Sequence, residues 1–239
     1  MMKTVTPLAL LLLTVACGHA PTAPEAGPVS AVATPTAQSV LAKWRAGQPI
    51  RVIVLGNSIS AENDPGSGVV AQLRRLVQSK NPASVVDNAS VSGWTTVKAI
   101  AWLSQAPPLR YDLAFLPLQV NDANQGAPVI EFTNHTQDIL DRLVSVQAVP
   151  VLVKENDIYS LPESRFGVRY PDYMTAVDQL AAKNRLSVVD GYTPFHAAVV
   201  AGGGIEACGL FLEETYIGLH PNQAGHDILF HAYEQWFSR

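Results

Sequence analysis

Short apolar runs alternate with segments of helical periodicity through most of the chain, and this alternation constrains the fold more than any other sequence feature. The runs lack strict polar–apolar alternation, which is typical of strands covered on both faces. The intervening segments carry apolar side chains at helical spacing. The predicted strands are 51–55, 84–87, 112–118, 150–154 and 186–190, and the predicted helices are 68–78, 130–146, 173–182 and a last one running from Pro221 towards Ser238.

This order of elements predicts an α/β fold: a three-layer α/β/α sandwich around a five-stranded, flavodoxin-like parallel sheet. At 239 residues the chain is long enough for one catalytic domain with a substantial core. Its formal net charge is -4, and its lysines and arginines form no basic stripe. This charge pattern argues against a nucleic-acid partner.

The amino terminus is typical of an export signal. Lys3 precedes an apolar stretch over 5–16, and small and polar residues follow it. The stretch is shorter than the roughly 20 residues that span a bilayer. We therefore expect residues 1–20 to be a signal peptide and the mature protein to be exported.

Cys17 follows this apolar stretch directly, in a Thr-Val-Ala-Cys sequence that resembles a bacterial lipobox. The favoured interpretation is a lipoprotein-type signal in which Cys17 becomes lipidated. One alternative is simple secretion with cleavage after Ala20. A second alternative is a disulfide between Cys17 and Cys208.

Residues 21–38 contain four prolines and no charged cluster, which is typical of an extended tether. This linker leads to a folded domain predicted over 39–239. The expected location is periplasmic or on the cell surface, with the lipid anchor holding the protein at the membrane.

Polar segments follow the predicted strands at the edge where a parallel sheet carries its reactive groups. Gly-Asn-Ser-Ile stands at 56–59, Asn-Ala-Ser-Val-Ser-Gly at 88–93 and Asn-Asp at 121–122. His-Pro-Asn-Gln-Ala-Gly-His, at 220–226, comes before the last predicted helix. We expect these loops to meet in one crevice.

From about residue 50 to the carboxyl terminus, the chain resembles the SGNH hydrolases of the GDSL-type esterase and lipase family. The resemblance implies that Ser58 is the nucleophile and His220 the general base. It also implies an oxyanion hole made by Ser58, Gly93 and Asn121. Backbone N–H groups and a side-chain amide suit this role because a tetrahedral intermediate needs preoriented donors.

Some positions depart from the family pattern. Asn57 stands where an aspartate is usual, Gln119 where a glycine is usual, and Trp94 where a small polar or acidic residue is common. We expect these side chains to belong to the substrate pocket. For Trp94 the alternative is packing under its own loop, since an aromatic ring suits either role.

Ile217 occupies the position of the family's triad aspartate, three residues before the histidine. Glu214 or Glu213 is a possible histidine-orienting carboxylate; otherwise a backbone carbonyl orients a Ser–His dyad, or activity has been lost. Glu155 and Asp157 are reserve candidates for the carboxylate.

The sequence therefore predicts an exported serine esterase that hydrolyses small acyl esters, acetyl esters first, with a carbohydrate as one possible alcohol. The reaction needs no cofactor, and the histidine spacings predict no metal site. The alternative is a non-catalytic carbohydrate- or cell-wall-binding protein that lost the triad aspartate. The oligomeric state is not predicted.

Overall fold

The computed structural model describes residues 35–61, 68–106, 110–158, 169–212 and 218–239. All of them belong to the compact unit Thr34–Arg239. The predicted signal peptide, Cys17 and the linker up to residue 34 lie outside the described residues.

The sheet contains β1 (Arg51–Val54), β2 (Val85–Asn88), β3 (Leu113–Leu116), β4 (Val149–Lys154) and β5 (Val188–Asp190). The helices are α1 (Ala37–Arg45), α2 (Gly68–Lys80), α3 (Thr96–Gln105), α4 (Gln119–Asn124), α5 (Val129–Ser145), α6 (Tyr170–Asn184), α7 (Tyr192–Ala201) and α8 (Gln223–Phe237).

All strand pairs are parallel, and the strand order is β2-β1-β3-β4-β5. This is the flavodoxin-like order, so the predicted fold is confirmed. β3 and β4 are buried at every position, which explains why their sequences read as continuous apolar runs. The order brings the carboxyl ends of β1, β3 and β4 next to one another at one edge.

α1 lies at the predicted boundary between the linker and the domain. The helix begins at Ala37, and Thr36 caps it by accepting a hydrogen bond from the backbone N–H of Ser39. α1 is held on the domain by Trp44, whose indole N–H donates to the carbonyl of Val77 at 2.9 Å. A threonine followed three residues later by a second hydroxyl is a recognisable helix start.

α1, α3, α4 and α7 were not predicted. α4 is only six residues long, and α7 has almost no amphipathic periodicity. The buried positions of α3 are Thr96 and Ala99, and those of α7 are Phe195 and Val199. No helix within the described part of the chain is both long and apolar enough to cross a membrane.

Candidate active site

Ser58 lies in a turn over 57–61, two residues after the end of β1. The turn is closed by a hydrogen bond from the N–H of Ala61 to the carbonyl of Asn57 at 2.9 Å. The side chain of Asn57 reinforces it, because its Oδ1 accepts the N–H of Ile59 at 2.9 Å. Asparagine favours such turns because its short amide can bond to the backbone two residues on. Ser58 is thereby presented at the carboxyl edge of the sheet.

Gly56 allows this turn to pack closely on its neighbours. A Cβ at this position would lie 2.9 Å from atoms of Pro117, Ser60 and Ser90. Contacts this short require some of those atoms to move, so a side chain at 56 would displace the turn that carries Ser58.

His220 is held by a short antiparallel pairing with residues 210–212. The N–H of Leu212 donates to the carbonyl of His220 at 3.0 Å, and Phe211 bridges Pro221. Asn222 then caps α8 by accepting the N–H of Gly225 at 3.2 Å. The backbone of His220 and of the two residues after it is therefore held in place.

The Nε2 of His220 lies 2.8 Å from the Oγ of Ser58. This distance is within the range expected between a nucleophile and its general base. The structure thus brings together the two residues that the sequence predicts as nucleophile and base.

Gly93 lies in the loop after β2 and lines the same cavity as Ser58. Its φ of 75° is in the left-handed region that favours glycine. No described atom lies within 4 Å of where its Cβ would be. The backbone of Gly93 is therefore open to a bound molecule.

Asn121, on α4, borders the cavity and is 6% exposed. Its Nδ2 donates one hydrogen to the carbonyl of Trp94 at 2.9 Å. A primary amide carries two hydrogens, so the second remains for another acceptor. Of the predicted oxyanion donors, the structure brings Ser58, Gly93 and Asn121 to one cavity.

Asp122, in the first turn of α4, binds the first residue of α3. It accepts the backbone N–H of Thr96 at 2.8 Å and the Thr96 hydroxyl at 2.6 Å. Burial raises the pKa of Asp122, while the bonds from Thr96 oppose that rise. Because Asp122 follows Asn121, this contact fixes the backbone next to the amide.

The cavity has a volume of about 570 Å³. Its lining combines apolar side chains such as Ile59, Val69 and Leu219 with a polar set: Ser58, Ser92, Asn121, His220 and His226.

Asn57 and Gln119, predicted for the substrate pocket, are not among the residues that line the cavity. Asn57 is 0% exposed and Gln119 is 1% exposed, so both side chains are buried. Asn57 bonds to its own turn, and Gln119 accepts the N–H of Leu118 at 3.2 Å. Trp94 does not line the cavity either; its ring packs at 5.9 Å from the ring of Trp102. The packing alternative for Trp94 is the one observed.

Glu213, Glu214 and Ile217 lie outside the described residues, so the histidine-orienting carboxylate stays a prediction. The reserve candidates have other partners. Glu155 accepts hydrogen bonds from Asn57, and Asp157 lies 2.6 Å from Nδ1 of His196.

His226, the last residue of the 220–226 segment, was given no role of its own from sequence, and it lines the cavity. Burial lowers the pKa of His226, and the nearby His220 lowers it further, against the opposing charge of Asp227. His226 is therefore a neutral imidazole beside the site at neutral pH. Its position in the first turn of α8, six residues after His220, was the available signal.

The described ranges hold no group of three or more histidine, cysteine, aspartate or glutamate side chains that could bind a metal ion.

Fold, cavity and the contact between serine and histidine define the class of the protein, which is an ester-hydrolysing serine hydrolase of the α/β/α type. The profile of the GDSL-like Lipase/Acylhydrolase family matches residues 54–228. The match covers most of the chain, and the chain belongs to this family.

Several solved structures share the fold. Axe2, an acetylxylan esterase from Geobacillus stearothermophilus, has a TM-score of 0.64 at 19% identity over 80% of this chain and 94% of that one. The structure of TesA has a TM-score of 0.60 at 24% identity over 78% and 97% of the respective chains. A G-D-S-L family protein from Veillonella parvula has a TM-score of 0.63 at 18% identity over 79% and 98%. No curated protein sequence matches the chain significantly.

Proposed function

We propose that the protein is an exported, lipid-anchored serine esterase that removes small acyl groups, chiefly acetyl, from a carbohydrate. The observation that carries the proposal is the 2.8 Å separation of Ser58 Oγ and His220 Nε2 at the wall of an accessible cavity.

In the proposed reaction the Oγ of Ser58 attacks the ester carbonyl carbon while Nε2 of His220 takes the hydroxyl proton. The carbonyl π electrons move to the oxygen and form a tetrahedral oxyanion. Collapse of this intermediate breaks the bond to the alcohol oxygen, which receives the proton from His220. Water then attacks the acyl-serine by the same route and releases the acid.

The oxyanion is proposed to bind to the N–H groups of Ser58 and Gly93 and to the second amide hydrogen of Asn121. Support comes from the shared cavity and from the bond of Asn121 to Trp94, which holds the amide in one orientation. Fixed donors lower the barrier because they need no reorganisation as charge develops.

Two observations support a carbohydrate ester as the substrate: the polar side chains in the cavity lining and the fold shared with Axe2. Hydroxyl and amide side chains such as Ser92 and Gln223 line the same cavity as Ser58, and they can bond to a hydroxyl-rich alcohol. Axe2, which shares the fold, is described as an acetylxylan esterase. Export and anchoring through Cys17 rest on the sequence of the amino terminus.

The test compares purified wild-type protein with Ser58→Ala on p-nitrophenyl acetate and on acetylated xylooligosaccharides. Removal of the nucleophile should lower kcat by at least about 10⁴-fold. Ser104→Ala is the matched control, because Ser104 is an exposed serine on α3, and it should hydrolyse both esters at the wild-type rate.

Equal rates for wild type and Ser58→Ala would overturn the proposed nucleophile. If the protein hydrolyses the aryl ester but releases no acetate from the oligosaccharide, the esterase activity stands and the carbohydrate substrate is excluded.

A further inference from the structure

Glu155 is a buried carboxyl group outside the predicted catalytic set. It follows β4 directly and is 2% exposed. Its oxygens accept the Nδ2 group of Asn57 at 2.8 and 3.1 Å, and the backbone N–H of Val120 also donates to it. One carboxyl group therefore joins the loops after β1, β3 and β4.

Its partners lie next to the groups that the proposed reaction uses. Asn57 precedes Ser58 and fixes the serine turn through Ile59, whose N–H it accepts at 2.9 Å. Val120 precedes Asn121 on α4. A shift of Glu155 would therefore move the nucleophile and the amide donor relative to each other.

We propose that Glu155 is a positioning residue which, through Asn57 and Val120, sets the place of Ser58 relative to Asn121. This inference rests on the proposed function, since it takes the roles of Ser58 and Asn121 from it.

Asn57 and Glu155 form a matched donor–acceptor pair. The amide of Asn57 accepts from Ile59 with its oxygen. Its nitrogen donates to Glu155 and, at 3.3 Å, to the carbonyl of Pro117. An aspartate at 57 would keep the acceptor and lose the donor. Two adjacent buried carboxyl groups cannot both ionise cheaply, so one of them must hold a proton.

The surroundings of Glu155 favour that proton at neutral pH. Burial raises the pKa of Glu155 to about 8, against the hydrogen bonds from Asn57 and Val120. In the described part of the chain, the titratable groups that face it are the phenols of Tyr170 on α6 and Tyr233 on α8. Burial raises the pKa of both phenols, so they stay uncharged.

The experiment exchanges donor and acceptor. Asn57→Asp, Glu155→Gln and the double variant are compared with wild type by kcat and KM on p-nitrophenyl acetate at pH 6 and pH 9. Asn57→Asp should lose about 10- to 100-fold in kcat at pH 9, with KM within about twofold of wild type. At pH 6 the loss in kcat should be clearly smaller, because one shared proton can bridge the carboxyl groups at 57 and 155.

Glu155→Gln alone should lose about tenfold in kcat. The glutamine can accept a hydrogen bond only with its oxygen, so its NH₂ group is left facing either the Asn57 amide or the Val120 N–H, both of which are donors. In the double variant, the new glutamine can donate to the new aspartate and still accept from Val120. Its kcat should return to within about threefold of wild type at both pH values. Glu131→Gln, at an exposed glutamate of α5, should leave kcat and KM unchanged.

Single variants with wild-type kcat at pH 9 would overturn the proposal. So would a double variant whose loss equals the product of the two single losses, because independent effects multiply.

A readout that does not depend on turnover separates this inference from the proposed function. In a Ser58→Ala background, hydrogen exchange of the Ile59 and Val120 amides is followed by NMR with and without the Glu155→Gln substitution. We expect exchange at least about tenfold faster in the glutamine variant, since each weakened bond opens more often, and unchanged exchange would exclude positioning by Glu155. Faster exchange in a protein whose wild type hydrolyses no ester would refute the proposed function and retain the positioning role.

Discussion

The side-chain amide of Asn121 donates to the carbonyl of Trp94 at 2.9 Å, and so joins the loop after β2 to α4. The same loop contains Gly93, the other predicted donor outside the serine turn. One contact therefore sets the spacing of an amide and a backbone N–H that are far apart in sequence. Removing the amide of Asn121 should therefore weaken binding of the oxyanion.

Asn121→Ala should lower kcat by about 10²- to 10³-fold, which corresponds to about 3–4 kcal/mol for one oxyanion donor. KM should change little, because the bond to the oxyanion forms in the transition state. Steady-state kinetics on an acetyl ester measures both values. Gln125→Ala, at the exposed end of the same helix, is the control. A rise in KM at unchanged kcat would assign Asn121 to substrate binding.

Thr96→Val should destabilise the fold by about 1–3 kcal/mol, because it leaves the buried carboxyl group of Asp122 without its hydroxyl donor. For a domain of this size, that loss lowers Tm by roughly 3–10 °C. Thr133→Val is the matched control, since the Thr133 hydroxyl bonds within its own helix to Val129. Thermal unfolding gives the Tm of wild type and of both variants. Equal Tm values for wild type and Thr96→Val would contradict a stabilising role for the Thr96–Asp122 contact.

The parallel sheet could be predicted from sequence because its strands are continuous apolar runs and their order follows from short crossover connections. The contact of Ser58 with His220 could be predicted only through the family resemblance, since 162 positions separate the two residues.

The support beneath the site could not be predicted. Asn57 and Gln119 were expected in the pocket because their loops border it, but a loop position does not say which way a side chain points. The pairing of Asn57 with Glu155 spans 98 positions, and no local periodicity encodes such a contact.

Cys17→Ser should release the protein from the membrane, because lipidation requires the thiol. We expect wild-type protein in the membrane fraction and in the detergent phase of a Triton X-114 separation, and the variant in the aqueous phase. Metabolic labelling with a fatty acid should mark wild type but not Cys17→Ser. Cys208→Ser is the control and should partition like wild type. Label on Cys17→Ser, or aqueous wild-type protein, would exclude the anchor.

Glu155 should make the fold less stable as pH rises through the neutral range. Its pKa is about 8 in the folded protein, against an ordinary value of 4.5. Between these values the unfolded chain releases a proton that the folded protein keeps, so rising pH favours unfolding. The loss is at most about 1.4 kcal/mol for each pH unit in this window and stops above about pH 8.

Glu155→Gln removes this proton and leaves the other titrations of the protein in place. Urea unfolding of both proteins at pH 5, 6, 7 and 8 therefore isolates the contribution of Glu155. The free energy of unfolding of wild type, taken relative to the variant, should fall by a few kcal/mol from pH 5 to pH 8. Parallel curves for the two proteins would mean that Glu155 ionises alike in the folded and unfolded chains.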